Sequence, residues 1–172
     1  ELRPELSMVV TATDRAPRPG ERDGVDYHFV TAARFEAMIA SDELVEHAVV
    51  YGQHKGIPKS SVRDKLASDD DVVLRLDVQG AATVRAMIPD AVLVFLCAES
   101  EAALARRLLR RGTESEEQLA RRVETARAET RRLDEFDYVV VNAEGGLEQA
   151  AARLGAIIDA EKSRRGRKPV EV

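Results

Sequence analysis

Arg15 and Arg18 stand three positions apart in Thr13-Asp14-Arg15-Ala16-Pro17-Arg18-Pro19-Gly20-Glu21, a stretch stiffened by two prolines. Two planar guanidinium forks on such a segment can grip one tetrahedral anion at small entropic cost. Tyr27, at the start of the next apolar run, could add a hydroxyl donor to the same oxygens. The alternative is a solvated loop whose arginines are surface charges and whose tyrosine is core. Glu46 poses a sharper choice, because it interrupts the β-forming run Leu44-Val45-Glu46-His47-Ala48-Val49-Val50. Turned inward, a carboxylate is costly unless partners satisfy it. The Watson–Crick edge of guanine is one such partner, offering two adjacent N–H donors where adenine offers an acceptor. Turned outward, Glu46 is an ordinary solvated strand residue, and strand alternation does not decide between the two.

Asp77 closes the pattern Val72-Val73-Leu74-Arg75-Leu76-Asp77 just before Val78-Gln79-Gly80 and a helical stretch. Ligands of parallel α/β sheets gather beyond the carboxyl ends of strands, so Asp77 is placed to bind one. It is equally suited to cap the helix. Arg106, Arg107, Arg110 and Arg111, then Arg121 and Arg122, crowd two charged segments around Gly112. Converging arginines can neutralise charge on a transferred phosphoryl group. The plainer reading leaves most of them on solvated helix faces, with pairs such as Glu117 and Arg121 at i,i+4. Cys97, inside an apolar run, reads as packing. His28, His47 and His54 show no metal-ligand spacing.

The hydrophobic pattern supplies the elements that must hold these residues. Short apolar or alternating runs predict strands at Met8–Thr11, Asp26–Val30, Leu44–Val50, Val72–Asp77, Val92–Cys97 and Tyr138–Asn142. Val92–Leu96 is continuously apolar, as expected of a strand covered on both faces, and is the leading core candidate. Helical periodicity predicts helices at Ala32–Ala40, Lys59–Ala67, Gly80–Met87, Glu101–Arg111, Ser115–Leu133 and Leu147–Lys162. Ser100 suits an N-cap, Gly112 a C-terminal left-handed position, and Thr113–Glu116 a capping box. The fifth helix carries only a thin apolar stripe of Leu119, Val123, Ala126 and Leu133, which fits a mobile lid or a solvated hairpin. Residues 12–25 read as a loop. Strands alternating with helices indicate an α/β chain with a largely parallel sheet.

Composition bounds the class. The 172 residues carry a formal net charge of −5, with 44% hydrophobic and 33% charged residues. That is one globular domain's length, enough for a core without disulfide or metal staples. A single cysteine excludes an internal disulfide and a cysteine-based zinc cluster. The longest apolar run, Ala91–Ala98, is far too short for a membrane-spanning helix. The acidic balance argues against a general nucleic-acid binder, and the basic run at 163–169 reads as a solvated end. The opening Glu1-Leu2-Arg3-Pro4 has no initiator Met and no leader pattern, so we expect a piece of a longer chain without a targeting peptide.

In this order and spacing the segments resemble the guanylate kinase family over nearly the whole chain. The likeness is carried by Thr13–Glu21, Gly24, Tyr27–Val30, Phe35, Met38-Ile39, Glu46, Asp77–Ala81, Arg107, Arg111–Glu114, Arg122 and Phe136–Asn142. Tyr51, Lys55–Lys59, Leu74–Asp77 and Ile157–Lys162 look most similar to plant organelle-type members, which raises a plastid or mitochondrial location, with the cytoplasm as the alternative. The resemblance implies a P-loop nucleoside-monophosphate-kinase-like α/β fold, a parallel sheet flanked by helices. It implies a small mixed-β GMP-binding subdomain at 27–59 and a helical lid at about 107–122, inside a domain spanning 1–162, with a flexible basic tail at 163–172. It also implies the reaction ATP + GMP to ADP + GDP with Mg²⁺, nucleotides as partners, and neither nucleic acid nor membrane. Arg15, Arg18 and Tyr27 match the family's GMP-phosphate contacts, and Thr11, Glu46 and Asp77 its guanine contacts. Arg111 and Arg122 match arginines that approach the transferred phosphoryl, Arg107 sits on the same lid, and Asn142 falls near the ATP side.

The sequence departs from the family pattern in three places. Lys55 and Ile57 stand where most members carry a tyrosine and a serine or threonine. Lys55 can still reach a phosphate as a point charge, whereas Ile57 offers guanine no hydrogen bond. Arg75 stands where many members have an aspartate near the metal. No G-x-x-x-x-G-K-[ST] stretch occurs in the chain, so we expect the first strand and the loop that cradles ATP phosphates to be absent. These residues alone are then expected to be inactive and unstable. The alternative function is a non-catalytic guanylate-kinase-like module that grips phosphorylated protein partners. Glu46 separates the two, since such a module has no use for a purine-reading acid.

Overall fold

A computed structural model describes residues 6–50, 52–68, 71–111, 115–168 and 170, with all their side chains except those of Arg111 and Glu116. Tyr51, Gly112, Thr113 and Glu114, named above, lie outside the described residues. The described chain forms two compact units, one from residue 6 to 91 with residue 170, the other from 92 to 168.

The first unit runs β1 (Leu6–Met8), β2 (Ala12–Thr13), β3 (His28–Phe29), α1 (Ala32–Ala40), β4 (Leu44–Val50), β5 (Gln53–Pro58), α2 (Lys59–Leu66), β6 (Asp71–Val73) and α3 (Val78–Met87). β1 pairs in parallel with β6, and a mixed four-stranded sheet has the order β3-β2-β5-β4. Hydrophobic patterning places β4 and α1 with the observed bounds. It misses β5 altogether, because Gln53-His54-Lys55-Gly56-Ile57-Pro58 has neither alternation nor a run of β-formers. Two antiparallel ladders, to β2 and β4, supply what propensity lacks. Gly56 allows this: a Cβ there would lie 2.9 Å from Leu44 Cδ1 and 3.0 Å from both Phe35 Cζ and the Glu46 carbonyl oxygen. The expected strand at Met8–Thr11 does not form as such: β1 ends at Met8, Val9–Thr11 belong to no strand, and the chain joins another sheet at Ala12. The expected strand at Val72–Asp77 ends at Val73, which frees Leu74–Asp77 to carry polar groups.

Two apolar clusters fix this unit. Val9, Val45, Ile57, Val62, Val84 and Ile88 form one, and Ala12, Phe35, Met38 and Leu44 the other. They lie on opposite faces of the four-stranded sheet, since Ile57 and Gly56 are successive residues of β5 and strand side chains alternate. Ile57 is fully buried, so its place in the sequence serves the core.

The second unit contains β7 (Val94–Ala98), α4 (Glu101–Arg111), α5 (Glu116–Thr130), β8 (Tyr138–Asn142) and α6 (Leu147–Lys162). β7 and β8 pair in parallel, and Phe95 packs edge-on against Phe136 at 5.1 Å. Coverage of the apolar run is partial: Leu93 and Phe95 are buried, but Leu96, on the face opposite Phe95, remains 55% exposed. α5 begins two residues later than the expected capping box, with Ser115 and Gln118 bonding reciprocally. It stops at Thr130, and Leu133–Glu135 forms a 3-10 turn. In the basic tail, Arg164 and Arg167 pair with Glu161, a buried acid that also accepts from the Tyr138 hydroxyl at 2.7 Å.

Candidate functional site

Ladder partners share a sheet face, so register alone assembles the first group. Phe29 lies beside Thr13, Thr13 beside Lys55, and Lys55 beside Ala48; one step along the same face come Ile57 and its partner Glu46. Thr13 is anchored by donating its hydroxyl to the His54 carbonyl at 2.8 Å. On the opposite face His54 stacks on Phe35 at 5.2 Å, and Asp14 holds it through both its ring Nδ1 (2.6 Å) and its backbone N–H (2.8 Å). The loop after β2 therefore leaves a firmly tied strand.

Arg15 follows at once. Its guanidinium sits 4.8 Å from the Tyr27 ring centroid and 5.5 Å from that of Phe29, close enough for cation–π attraction. Glu21 receives it bidentately, Nη1 to Oε2 at 2.7 Å and Nη2 to Oε1 at 2.6 Å, and Nη1 also donates to the Ala16 carbonyl. The Arg15 fork and the Arg18 backbone N–H together hold the Glu21 carboxyl down at about 2. Arg18 thus reaches this cluster through its backbone, while its side chain is exposed. Two forks closing on one anion is therefore not the resting arrangement: Glu21 fills the Arg15 fork in the manner of a phosphate.

At the other end of the face, Glu46 is 6% exposed and turned inward, which decides the choice that alternation left open. Its carboxylate has no hydrogen-bond partner among the described residues. Burial raises its pKa to about 7, and the nearby negative charge of Asp77 adds to the shift. The group lies against the first turn of α3, where a Cβ on Gly80 would come within 2.7 Å of Glu46 Oε2. Asp77 performs the capping role that its position allowed, accepting the Gly80 N–H at 2.8 Å. Thr11 is also buried. Arg75, two residues before Asp77, donates to the Tyr27 hydroxyl at 3.2 Å. The segment 74–77 thus touches both ends of the group.

The second unit brings Arg107 to Asn142, whose carbonyl accepts from Nη2 at 2.7 Å; Glu99 lies 3.2 Å from the same nitrogen. An open cavity of about 440 Å³ is lined by Arg107, Arg110, Asn142, Glu144 and Gly145. It lies at the carboxyl end of β8, where parallel sheets place ligands. Arg111 ends α4 with its side chain undescribed, and Arg122 lies on α5. Glu21, Gly80 and Arg75 are the functional neighbours that residue types alone did not expose. Only the tertiary contact of each gives it meaning.

An arginine clamped beside two aromatic rings at one end of this face, and at the other a buried acid with no hydrogen-bond partner among the described residues, could receive a small ligand that carries an anion and paired N–H donors. The family model described as guanylate kinase matches residues 2–161. A guanylate kinase 2, chloroplastic/mitochondrial, of Oryza sativa subsp. japonica is 52% identical over the whole chain, and the chain spans 61% of that protein. A guanylate kinase of Nocardia farcinica is 52% identical over 84% of the chain and 76% of its own length. Among solved structures, guanylate kinase from Anaplasma phagocytophilum superposes with a TM-score of 0.80 at 30% identity, over 95% of this chain and 79% of that one. The chain belongs to the guanylate kinase family and has its α/β fold.

Proposed function

We propose that this chain binds GMP and serves the transfer of a phosphoryl group from ATP, giving ADP and GDP. The observation that carries the reading is Glu46, a carboxylate buried in the sheet face with no hydrogen-bond partner among the described residues. An unsatisfied buried acid is costly, and a ligand that completes it recovers that cost on binding. Guanine does so with two N–H donors, whereas adenine meets the carboxylate with a lone pair. Thr11 and Asp77 are assigned to the same base. Arg15, Arg18, Tyr27 and Lys55 are assigned to the monophosphate, the phosphate displacing Glu21 from part of the Arg15 fork. Residues 27–59 would form the GMP-binding subdomain of a domain spanning 1–162, and 107–122 the lid.

Transfer needs positioning and charge neutralisation more than covalent help from the protein. Arg107, Arg111 and Arg122 are assigned to neutralising the moving phosphoryl, and Asn142 to the ATP side. Closure over the nucleotides would exclude water, a competing acceptor. Mg²⁺ enters this reading with ATP: among the described residues no three His, Cys, Asp or Glu gather into a metal site, and no step is routed through the ion. The 172 residues contain no phosphate-cradling G-x-x-x-x-G-K-[ST] loop, so that loop must come from elsewhere. By themselves these residues are expected to bind GMP without forming GDP. An organellar setting rests on the name of the rice relative, while the Nocardia protein is equally identical.

Calorimetric titration tests the reading. GMP is expected to bind at least tenfold more tightly than AMP, and Glu46→Gln, which cannot accept two hydrogen bonds side by side, is expected to erase that margin. Equal affinity for the two nucleotides in the unsubstituted chain rejects guanine as the ligand. A phosphopeptide that outcompetes GMP would favour the interaction-module alternative.

A further inference from the structure

Two guanidinium groups flank the ring of Tyr27. That of Arg15 is centred 4.8 Å from the ring and that of Arg75 5.6 Å. They differ in what else they hold. Both terminal nitrogens of Arg15 are engaged by Glu21, so its charge is matched and its best hydrogen-bonding edge is filled. Arg75 is exposed, and among the described residues it has no carboxylate partner; its hydrogen bond goes to the neutral Tyr27 hydroxyl, Nη2 to Oη at 3.2 Å. The positive charge available to an incoming anion at this end of the face is therefore carried by Arg75 at least as much as by Arg15.

The phenol adds direction. By accepting from Arg75, the Tyr27 oxygen leaves its own proton free to donate elsewhere. A guanidinium N–H and a phenolic O–H whose heavy atoms are 3.2 Å apart are spaced to take two oxygens of a single phosphoryl group. Backbone geometry supports the placement, because Leu74–Asp77 leaves β6 and reaches the cap of α3, with Arg75 at the Tyr27 end and Asp77 beside Glu46. One short segment thus spans the distance from phosphate end to base end of the proposed ligand.

We propose that Arg75 is a binding residue for the nucleotide monophosphate, adding unmatched charge to the clamp alongside Tyr27, whereas the Arg15 fork is engaged by Glu21 until the phosphate displaces it. This rests on the reading of the site as a GMP site. The expected signature is selective loss: Arg75→Ala should weaken GMP at least tenfold and leave guanosine, which lacks the phosphate, unchanged. Arg75→Lys should recover only part of the loss, because lysine restores the charge but not the planar fork. Calorimetry on the full chain with GMP, guanosine, AMP and adenosine, with thermal unfolding as a control for folding, makes the comparison. Arg75→Ala binding GMP as tightly as the unsubstituted chain overturns the proposal while leaving the guanine reading intact. Equal weakening of GMP and guanosine overturns it as well, by showing that Arg75 acts through the fold or the base end of the site and not on the phosphate. Loss of the GMP-over-AMP margin in the unsubstituted chain overturns the guanine reading instead. In that case AMP against adenosine still decides Arg75, and indifference of that pair to Arg75→Ala rejects the phosphate role.

Discussion

The two units treat their charged groups in opposite ways. In the second unit four arginines of α4 and α5 pair with carboxylates at the surface: Arg106 and Arg110 share Glu144, Arg107 meets Glu99, and Arg127 meets both Glu101 and Glu124. In the first, among the described residues, Glu46 is buried without a hydrogen-bond partner and Arg75 is exposed without a carboxylate. Exposed pairs contribute little to stability and break easily, which suits groups that must reorganise around a moving charge. A buried unpaired acid opposes folding and gains when a ligand arrives, which suits selection. On the proposed reading, binding discrimination is concentrated where the fold is locally frustrated, and phosphoryl transfer where it is not.

The sharpest way to test that contrast is pH. Glu46 has its folded pKa raised from 4.5 to about 7, chiefly by burial. The folded state therefore holds the proton more tightly than the unfolded chain, so stability is full below about 4.5 and is lost as pH rises through about 7. The shift corresponds to about 3 kcal/mol. Urea unfolding of the chain and of Glu46→Gln should diverge by that order between pH 4.5 and 8, the variant lacking this loss. Parallel curves would show that Glu46 is satisfied in the free protein. Guanine binding runs the other way, since its N–H donors favour the ionised acid: guanosine affinity should rise with pH through the same window, with proton release on binding.

A smaller effect is expected at Gly80, where sequence alone suggests a poor helix residue that alanine should improve by up to about 1 kcal/mol. Structure reverses the functional sign. The new methyl would meet Glu46 Oε2 at 2.7 Å and Cδ at 2.9 Å, so the carboxylate must move while the backbone need not. Gly80→Ala should keep or raise the melting temperature and lower GMP affinity about tenfold, or about 1.4 kcal/mol. Unchanged affinity would show that the base does not depend on the present position of Glu46.

Those two residues also mark how far the sequence could be read. The longer helices and β4 followed from periodicity because their apolar positions repeat over two or more turns or several pleats. β5 did not, because its ladders and the gap left by Gly56 are tertiary facts. Arg15, Tyr27, Glu46 and Asp77 were legible as candidates through residue type and family likeness. The inward orientation of Glu46, the Glu21 stand-in at Arg15 and the Arg75 contact with Tyr27 were not. Orientation within a bulged strand and pairing across a proline-rich loop depend on which neighbours fold against them, and a linear pattern does not encode that choice.

The smallest effect belongs to the surface of the second unit. Arg127 donates to Glu101 through Nε at 2.9 Å and Nη2 at 2.8 Å, a bidentate pair joining α4 to α5, and a third bond goes to Glu124. The geometry is as good as that of Arg15 with Glu21, but the environment is not: both Arg127 and Glu101 are about half exposed, at 48% and 51%. Water solvates the separated partners nearly as well as they solvate each other, and salt screens what remains. Arg127→Ala should therefore leave the melting temperature within about a degree and be insensitive to added salt, in contrast to Glu46→Gln. A marked drop that salt mimics in the unsubstituted chain would mean that the helix pair is held together by this bond, and that the second unit also depends on a few particular charges.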